Sequence, residues 1–128
     1  MRDWVNTIQR QSLEEIIADC RKERPTWSEV VVQTWCSAKK RLDYGFFSHT
    51  DRPEFNWKES IPSIAFPVLL VTADVSLGGI VSSEQAQWVE QTNSNFRVAH
   101  IPGVGHHVRF GDYATYMQEM RKFLQALP

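Results

Sequence analysis

The fold of this chain is decided by two stretches, PVLLVTAD at residues 67–74 and HIPGVGH at residues 100–106. The first is a continuous apolar run ending in a carboxylate, which predicts a strand at 68–72 that is buried on both faces. The second begins within a segment rich in β-forming residues, which predicts a strand at Phe96–Ile101 that runs into a glycine turn. Two polar side chains are thereby expected in the loops after these strands: Asp74 and His106.

Helical patterns follow each predicted strand. SSEQ at residues 82–85 opens a helix through about Thr92, and Asp112 caps a final helix with apolar positions at helical spacing. The order strand, helix, strand, helix predicts parallel pairing through a crossover connection. We therefore interpret residues 63–128 as a βαβα unit of the α/β class. A sheet of two parallel strands leaves apolar edges exposed, so this unit looks incomplete without a partner.

Residues 1–62 are interpreted as a helical segment followed by a connection. SLEE at residues 12–15 is a capping box that precedes an amphipathic stripe, and Thr26 with Glu29 gives a second start signal for a helix at 27–41. Residues 45–63 are poorly periodic, which predicts a long connection with little regular structure.

Composition narrows the class of protein. The 128 residues fit one domain, and the net charge of -1 gives no electrostatic footprint for nucleic acid or an anionic membrane. The longest apolar run, at 64–71, is too short to span a bilayer, and the N-terminus has no apolar signal segment. We expect a cytoplasmic protein whose Cys20 and Cys36 are reduced. No metal-ligand spacing or phosphate-binding glycine motif is present, so we expect neither a metal ion nor a cofactor.

The loops after the strands hold the candidate catalytic groups. Parallel strands place both loops at one sheet edge, where His106 could act as a general base and Asp74 could orient its imidazole. Two local alternatives stay open. His106 could cap the last helix, and Asp74 could start the turn toward Gly79. His107 is given no role.

These motifs resemble the C-terminal half of bacterial α/β-hydrolase-fold proteins. The similarity rests on residues 67–74 with GGIVS at 78–82, on HIPGVGH at 100–106, and on the final helix, and it covers about residues 63–127. PTW at 25–27 resembles part of the cap that such proteins insert before the acid-bearing strand. The resemblance implies a partial α/β-hydrolase fold acting on an ester or similar acyl small-molecule substrate. It implies His106 as the base and Asp74 as the acid, although many such proteins place the acid at the position of Ser76.

The nucleophile expected of such a hydrolase is missing. No Gly-x-Ser-x-Gly occurs, and none of the ten serines lies in a strand-to-helix elbow. One interpretation is the C-terminal portion of a hydrolase, inactive until an N-terminal half completes it. A second is a non-catalytic ligand-binding module, completed by a partner or by self-association through the sheet edge. A third is a fragment of a longer gene without a function of its own.

Overall fold

The computed structural model describes residues 2–42, 45 and 56–127. The chain divides into two compact units, Met1–Glu54 and Phe55–Pro128. Most of the connection predicted at 45–63 lies outside the described residues. Its last part, from residue 56, belongs to the second unit, because Ile61 is buried there against Val89 and Phe96.

The first unit contains three helices, α1 (Arg2–Arg10), α2 (Leu13–Glu23) and α3 (Glu29–Lys40). The capping box predicted at the start of α2 is confirmed: the Glu15 amide donates to Ser12 Oγ at 3.2 Å and the Ser12 amide donates to Glu15 Oε2 at 2.7 Å. Helices α2 and α3 enclose the core of this unit. Its buried side chains are Ile16, Ile17, Cys20, Val32 and Cys36.

The predicted start of α3 was wrong. Ser28, not Thr26, caps this helix, and its hydroxyl accepts the Val31 amide at 3.4 Å. The Trp27 amide donates instead to the Arg24 carbonyl at 3.1 Å. Thr26 lies inside this turn and does not cap the helix. Helix α3 therefore begins two residues later than the predicted start at residue 27.

The second unit confirms the α/β order. It begins with helix α4 (Trp57–Ser60) and a 3-10 turn, followed by β1 (Val68–Ala73), a second 3-10 turn at Val75–Leu77, and α5 (Ser83–Thr92). Strand β2 (Phe96–Ile101), the short helix α6 (Val108–Gly111) and α7 (Tyr113–Gln125) complete it. The predicted parallel pairing is also confirmed, with β1 and β2 in register over their six residues each.

Alternation along the strands sends side chains to two packed faces. On one face Val68 and Leu70 pack with Val89 of α5 and with Ile61 and Phe96. On the other, the residues that pack together include Val71, Ala73, Ile101, Val104 and Tyr116 of α7. The two-strand sheet is therefore covered by a helix on each side.

The two helices predicted for the βαβα unit, α5 and α7, start where the sequence predicted. Ser82 and Gln85 form the capping box of α5, and the Asp112 side chain accepts the Thr115 amide at the start of α7. Among the described residues, no helix combines the length and the apolar character that crossing a membrane would require.

Candidate active site

The loops that follow β1 and β2 are joined at the same end of the sheet. The Asp74 amide donates to the Val104 carbonyl at 3.0 Å, which joins the first residue after β1 to the turn after β2. Gly105 lies against the backbone of the first loop, since a Cβ at this position would be 2.1 Å from the Leu77 carbonyl oxygen. Asp74 and the segment leading to His106 therefore lie on one rim of the second unit.

The Asp74 carboxylate contacts both strand ends. Its Oδ1 lies 3.0 Å from His100 Nε2, and its Oδ2 accepts the Gly103 amide at 2.7 Å. Gly103 has a left-handed backbone conformation, with φ at 74°, which an L side chain rarely adopts. The carboxylate thus holds the turn that precedes His106 by accepting the amide of its left-handed glycine.

His100 uses both of its ring nitrogens. Its Nδ1 lies 3.1 Å from Thr72 Oγ1, and Thr72 is buried and directly opposite His100 in the register of the strands. A carboxylate oxygen accepts, so His100 Nε2 donates to Asp74, while Nδ1 pairs with the Thr72 hydroxyl. The result is a chain of hydrogen bonds from a buried hydroxyl through an imidazole to a carboxylate.

His106 lies on the same rim and is exposed. Its ring centroid is 5.1 Å from that of His107, which in turn stacks on Phe110 at 6.1 Å. Within residues 56–127, no hydrogen bond involves the His106 ring. The structure therefore brings Asp74 together with His100 and Gly103, and it forms no hydrogen bond between Asp74 and His106.

The role of His100 was missed from the sequence, although a signal for it exists. In a parallel pair with Val68 opposite Phe96, Thr72 and His100 share one face of the sheet. Asp74 follows Thr72 by two residues, so strand alternation predicts its side chain on the same face. Strand alternation alone could therefore have grouped these three side chains.

The Thr72 hydroxyl is hydrogen-bonded to His100, but Thr72 is buried and so is poorly placed to attack a substrate. Four of the described serine hydroxyls bind the backbone: those of Ser12, Ser28 and Ser82 cap helices, and that of Ser63 donates to the Ser60 carbonyl at 2.9 Å. In the first unit, burial raises the pKa of the Cys36 thiol to about 11, which disfavours the thiolate. No three His, Cys, Asp or Glu side chains of the described ranges form a group that could hold a metal ion.

The rim combines an Asp–His pair, an exposed histidine and two interlocked loops at the carboxyl ends of parallel strands. Ligands of open α/β sheets bind at this edge. No protein-family model, characterised protein or solved structure matches the chain.

Proposed function

We propose that this chain supplies the acid and the histidine of a serine-hydrolase-type site on an α/β-hydrolase fold, acting on an ester or similar acyl substrate. One observation carries the proposal. The Asp74 carboxylate sits at the carboxyl edge of the parallel sheet and holds the Gly103 amide of the turn that leads to His106. An acid in the loop after one strand and a histidine in the loop after the next correspond, in this chain order, to the last two members of a Ser…Asp…His triad.

His106 is the general base in this proposal. A base needs a ring nitrogen that can reach the proton it removes, and the exposed His106 ring makes no hydrogen bond within residues 56–127. His100 is less suited, because the hydroxyl at its Nδ1 belongs to Thr72, which is buried.

Asp74 acts as a positioning residue. In the familiar triad the acid binds the base directly and sets its tautomer. Here the carboxylate binds the amide of Gly103, and that contact fixes the turn from which His106 projects. Removal of the carboxylate is expected to misplace the base without removing it.

The nucleophile and the oxyanion-hole donors would come from a part of the active protein that these 128 residues do not include. Oxyanion stabilisation is usually the largest single catalytic contribution, and a base without a nucleophile cannot replace it. The 128-residue chain by itself is therefore expected to hydrolyse esters negligibly.

The test compares hydrolysis of p-nitrophenyl acetate by the 128-residue chain and by the protein extended with its in-frame upstream sequence. We expect no saturable turnover for the first. For the second we expect saturable turnover that falls by about 10²–10⁴ in His106→Ala, the usual range for a lost acid–base group. Arg97→Ala, at an exposed position of β2, is the control and should retain most of the activity.

Either of two results would reject the hydrolase proposal. One is upstream DNA that encodes no Gly-x-Ser-x-Gly after a strand pattern. The other is an active extended protein whose kcat is unchanged by His106→Ala.

A second candidate function is a module completed by a partner. Among the described residues, β1 and β2 pair only with each other, so each has one open edge. Val75, Leu77 and Ile80 are also exposed, at 55%, 56% and 71%, on the loop that Gly105 contacts. Gel filtration with light scattering tests this candidate: a dimer at micromolar concentration supports it, and a monomer at high concentration rejects self-association.

A further inference from the structure

The chain has two cysteines, and both lie in the core of the helical first unit. Cys20 belongs to α2 and Cys36 to α3, and their exposed fractions are 2% and 0%. Both are members of the one cluster of buried side chains that these two helices enclose. Two thiols from different helices therefore share a packed interface.

A backbone contact across this interface places the Cys36 thiol close to Cys20. Cys36 Sγ donates to the Ile16 carbonyl of α2 at 3.6 Å. In an α-helix that carbonyl also accepts the amide four residues later, which here belongs to Cys20. Burial raises the pKa of the Cys36 thiol, and a hydrogen bond with the Cys20 thiol adds to this effect. The two sulfur atoms are therefore neighbours in the folded protein.

A cavity of about 200 Å³ gives solvent a route to one of the two thiols. Of the two cysteines, both within residues 2–42, Cys20 alone lines this cavity. Its lining also includes the exposed residues Thr7, Asp19 and Glu23, so the cavity is open to solvent. A water molecule takes up about 30 Å³, so an oxidant the size of hydrogen peroxide fits inside. Such an oxidant would reach Cys20 before Cys36.

We propose that Cys20 and Cys36 are a peroxide-sensitive thiol pair that closes into a disulfide between α2 and α3. The Cys20 sulfur attacks one oxygen of hydrogen peroxide, the O–O bond breaks, and water leaves, so that Cys20 becomes a sulfenic acid. The Cys36 sulfur then attacks that sulfur, an S–S bond forms, and the S–O bond breaks with loss of a second water. Overall, two thiols are oxidised to one disulfide, and one peroxide is reduced to two waters.

The environment of Cys36 sets the rate of the closing step. The thiolate is the nucleophile in such reactions, and burial disfavours it at Cys36. The nearby Lys39 and Arg24 side chains act in the opposite direction, because positive charge favours the thiolate. Closure should therefore be slow at neutral pH and faster at alkaline pH.

The disulfide should stabilise the first unit. It would join two helices that are connected only by the chain between them, and a crosslink of this kind restricts the unfolded state. The expected result is slower opening of α2 and α3. The rim at Asp74 and His106 lies in the other unit and takes no part in this chemistry.

The experiment treats the reduced 128-residue chain with hydrogen peroxide, blocks the remaining thiols with N-ethylmaleimide, and maps the peptides by mass spectrometry. We expect a peptide pair joined through Cys20 and Cys36, an intact mass lower by two hydrogens, and full reversal by dithiothreitol. Closure should be faster at pH 9 than at pH 7. Hydrogen exchange across α2 and α3 should slow at least about tenfold in the oxidised protein, with α5 and α7 unchanged as the internal control.

Two variants test the order of the steps. In Cys36→Ser the sulfenic acid on Cys20 has no thiol partner, so dimedone should trap it. In Cys20→Ser dimedone labelling of Cys36 should be at least about tenfold lower, because Cys36 does not line the cavity.

Three results would overturn the thiol pair: disulfides only between chains, oxidation of each cysteine without a crosslink, or a crosslink that forms in urea but not in native buffer. Equal dimedone labelling of the two variants would overturn the assigned order of attack. The wild-type peptide map alone decides the crosslink if a variant does not fold.

Discussion

Asp74 Oδ1 and His100 Nε2 lie 3.0 Å apart and join residues that are separated by 26 positions in the sequence. The second oxygen of the same carboxylate accepts the Gly103 amide at 2.7 Å. One side chain therefore links the end of β1 to both the last part of β2 and the turn after it. These contacts hold the conformation of the rim, and the carboxylate influences the position of His106 through that conformation.

Asp74→Asn should loosen this rim. The amide side chain keeps the shape of the carboxylate but carries no charge, so its hydrogen bonds to His100 and Gly103 should be weaker than those of the carboxylate. We expect the unfolding free energy of the second unit to fall by about 1–3 kcal/mol. Denaturant unfolding measures the loss, and hydrogen exchange at the Gly103 amide should become faster.

Glu119→Gln is the control for that substitution. Glu119 forms an exposed pair with Lys122 at 2.5 Å, and such surface substitutions usually change stability by less than about 0.5 kcal/mol. Unchanged exchange at Gly103 in Asp74→Asn would contradict the role assigned to the carboxylate.

Gly105→Ala should disrupt the contact between the two loops. The added Cβ would lie 2.1 Å from the Leu77 carbonyl oxygen, and backbone atoms on both sides would have to move. We expect a loss of about 1–3 kcal/mol in unfolding free energy, typical of overpacking. Thermal or denaturant unfolding of the variant measures it.

Gly103→Ala separates the effect of a clash from that of backbone conformation. A Cβ at Gly103 meets no atom within 4 Å, but its φ of 74° disfavours any L side chain. The expected cost is about 1–2 kcal/mol, which is a conformational penalty alone. Chemical-shift changes around Leu77 should appear in Gly105→Ala and be absent in Gly103→Ala; their absence from both would argue against the close approach.

Ser82→Ala should destabilise α5. The Ser82 hydroxyl accepts the Gln85 amide at 3.2 Å, and alanine leaves that amide without its cap. The expected loss is about 1 kcal/mol in unfolding free energy. Ser83→Ala is the matched control at the next position, inside the helix, and should be neutral or slightly stabilising because alanine is the better helix former. Equal effects of the two substitutions would refute the capping role.

Stability should depend on Asp112 at acidic pH. Hydrogen bonds from the side chain and amide of Thr115 hold the pKa of Asp112 below its ordinary value of 3.8. A group whose pKa is lower in the folded state contributes stability above its unfolded pKa, and that contribution is lost as pH falls through the folded value. Between pH 6 and pH 3, the unfolding free energy of the wild type should therefore fall more than that of Asp112→Asn. Parallel curves for the two proteins would show that Asp112 does not contribute in this way.

Local sequence patterns were sufficient for most of the elements in the second unit. The apolar run at 67–74 and the β-forming residues at Phe96–Ile101 predicted two strands, and their order with α5 and α7 predicted the parallel pairing that the structure contains. Capping signals also worked where one hydroxyl candidate was present, as at Ser12. At α3 two hydroxyl residues competed, and the turn between Arg24 and Trp27 decided in favour of Ser28.

The sequence by itself determined the βαβα order and the delivery of Asp74 and His106 to loops after parallel strands, because apolar periodicity and helix caps act over a few neighbouring residues. Only the tertiary structure decided that Asp74 binds His100 and the Gly103 amide. That choice depends on the register of two strands and on a left-handed glycine turn between them. Both are long-range properties, set by how the loops fit together in space.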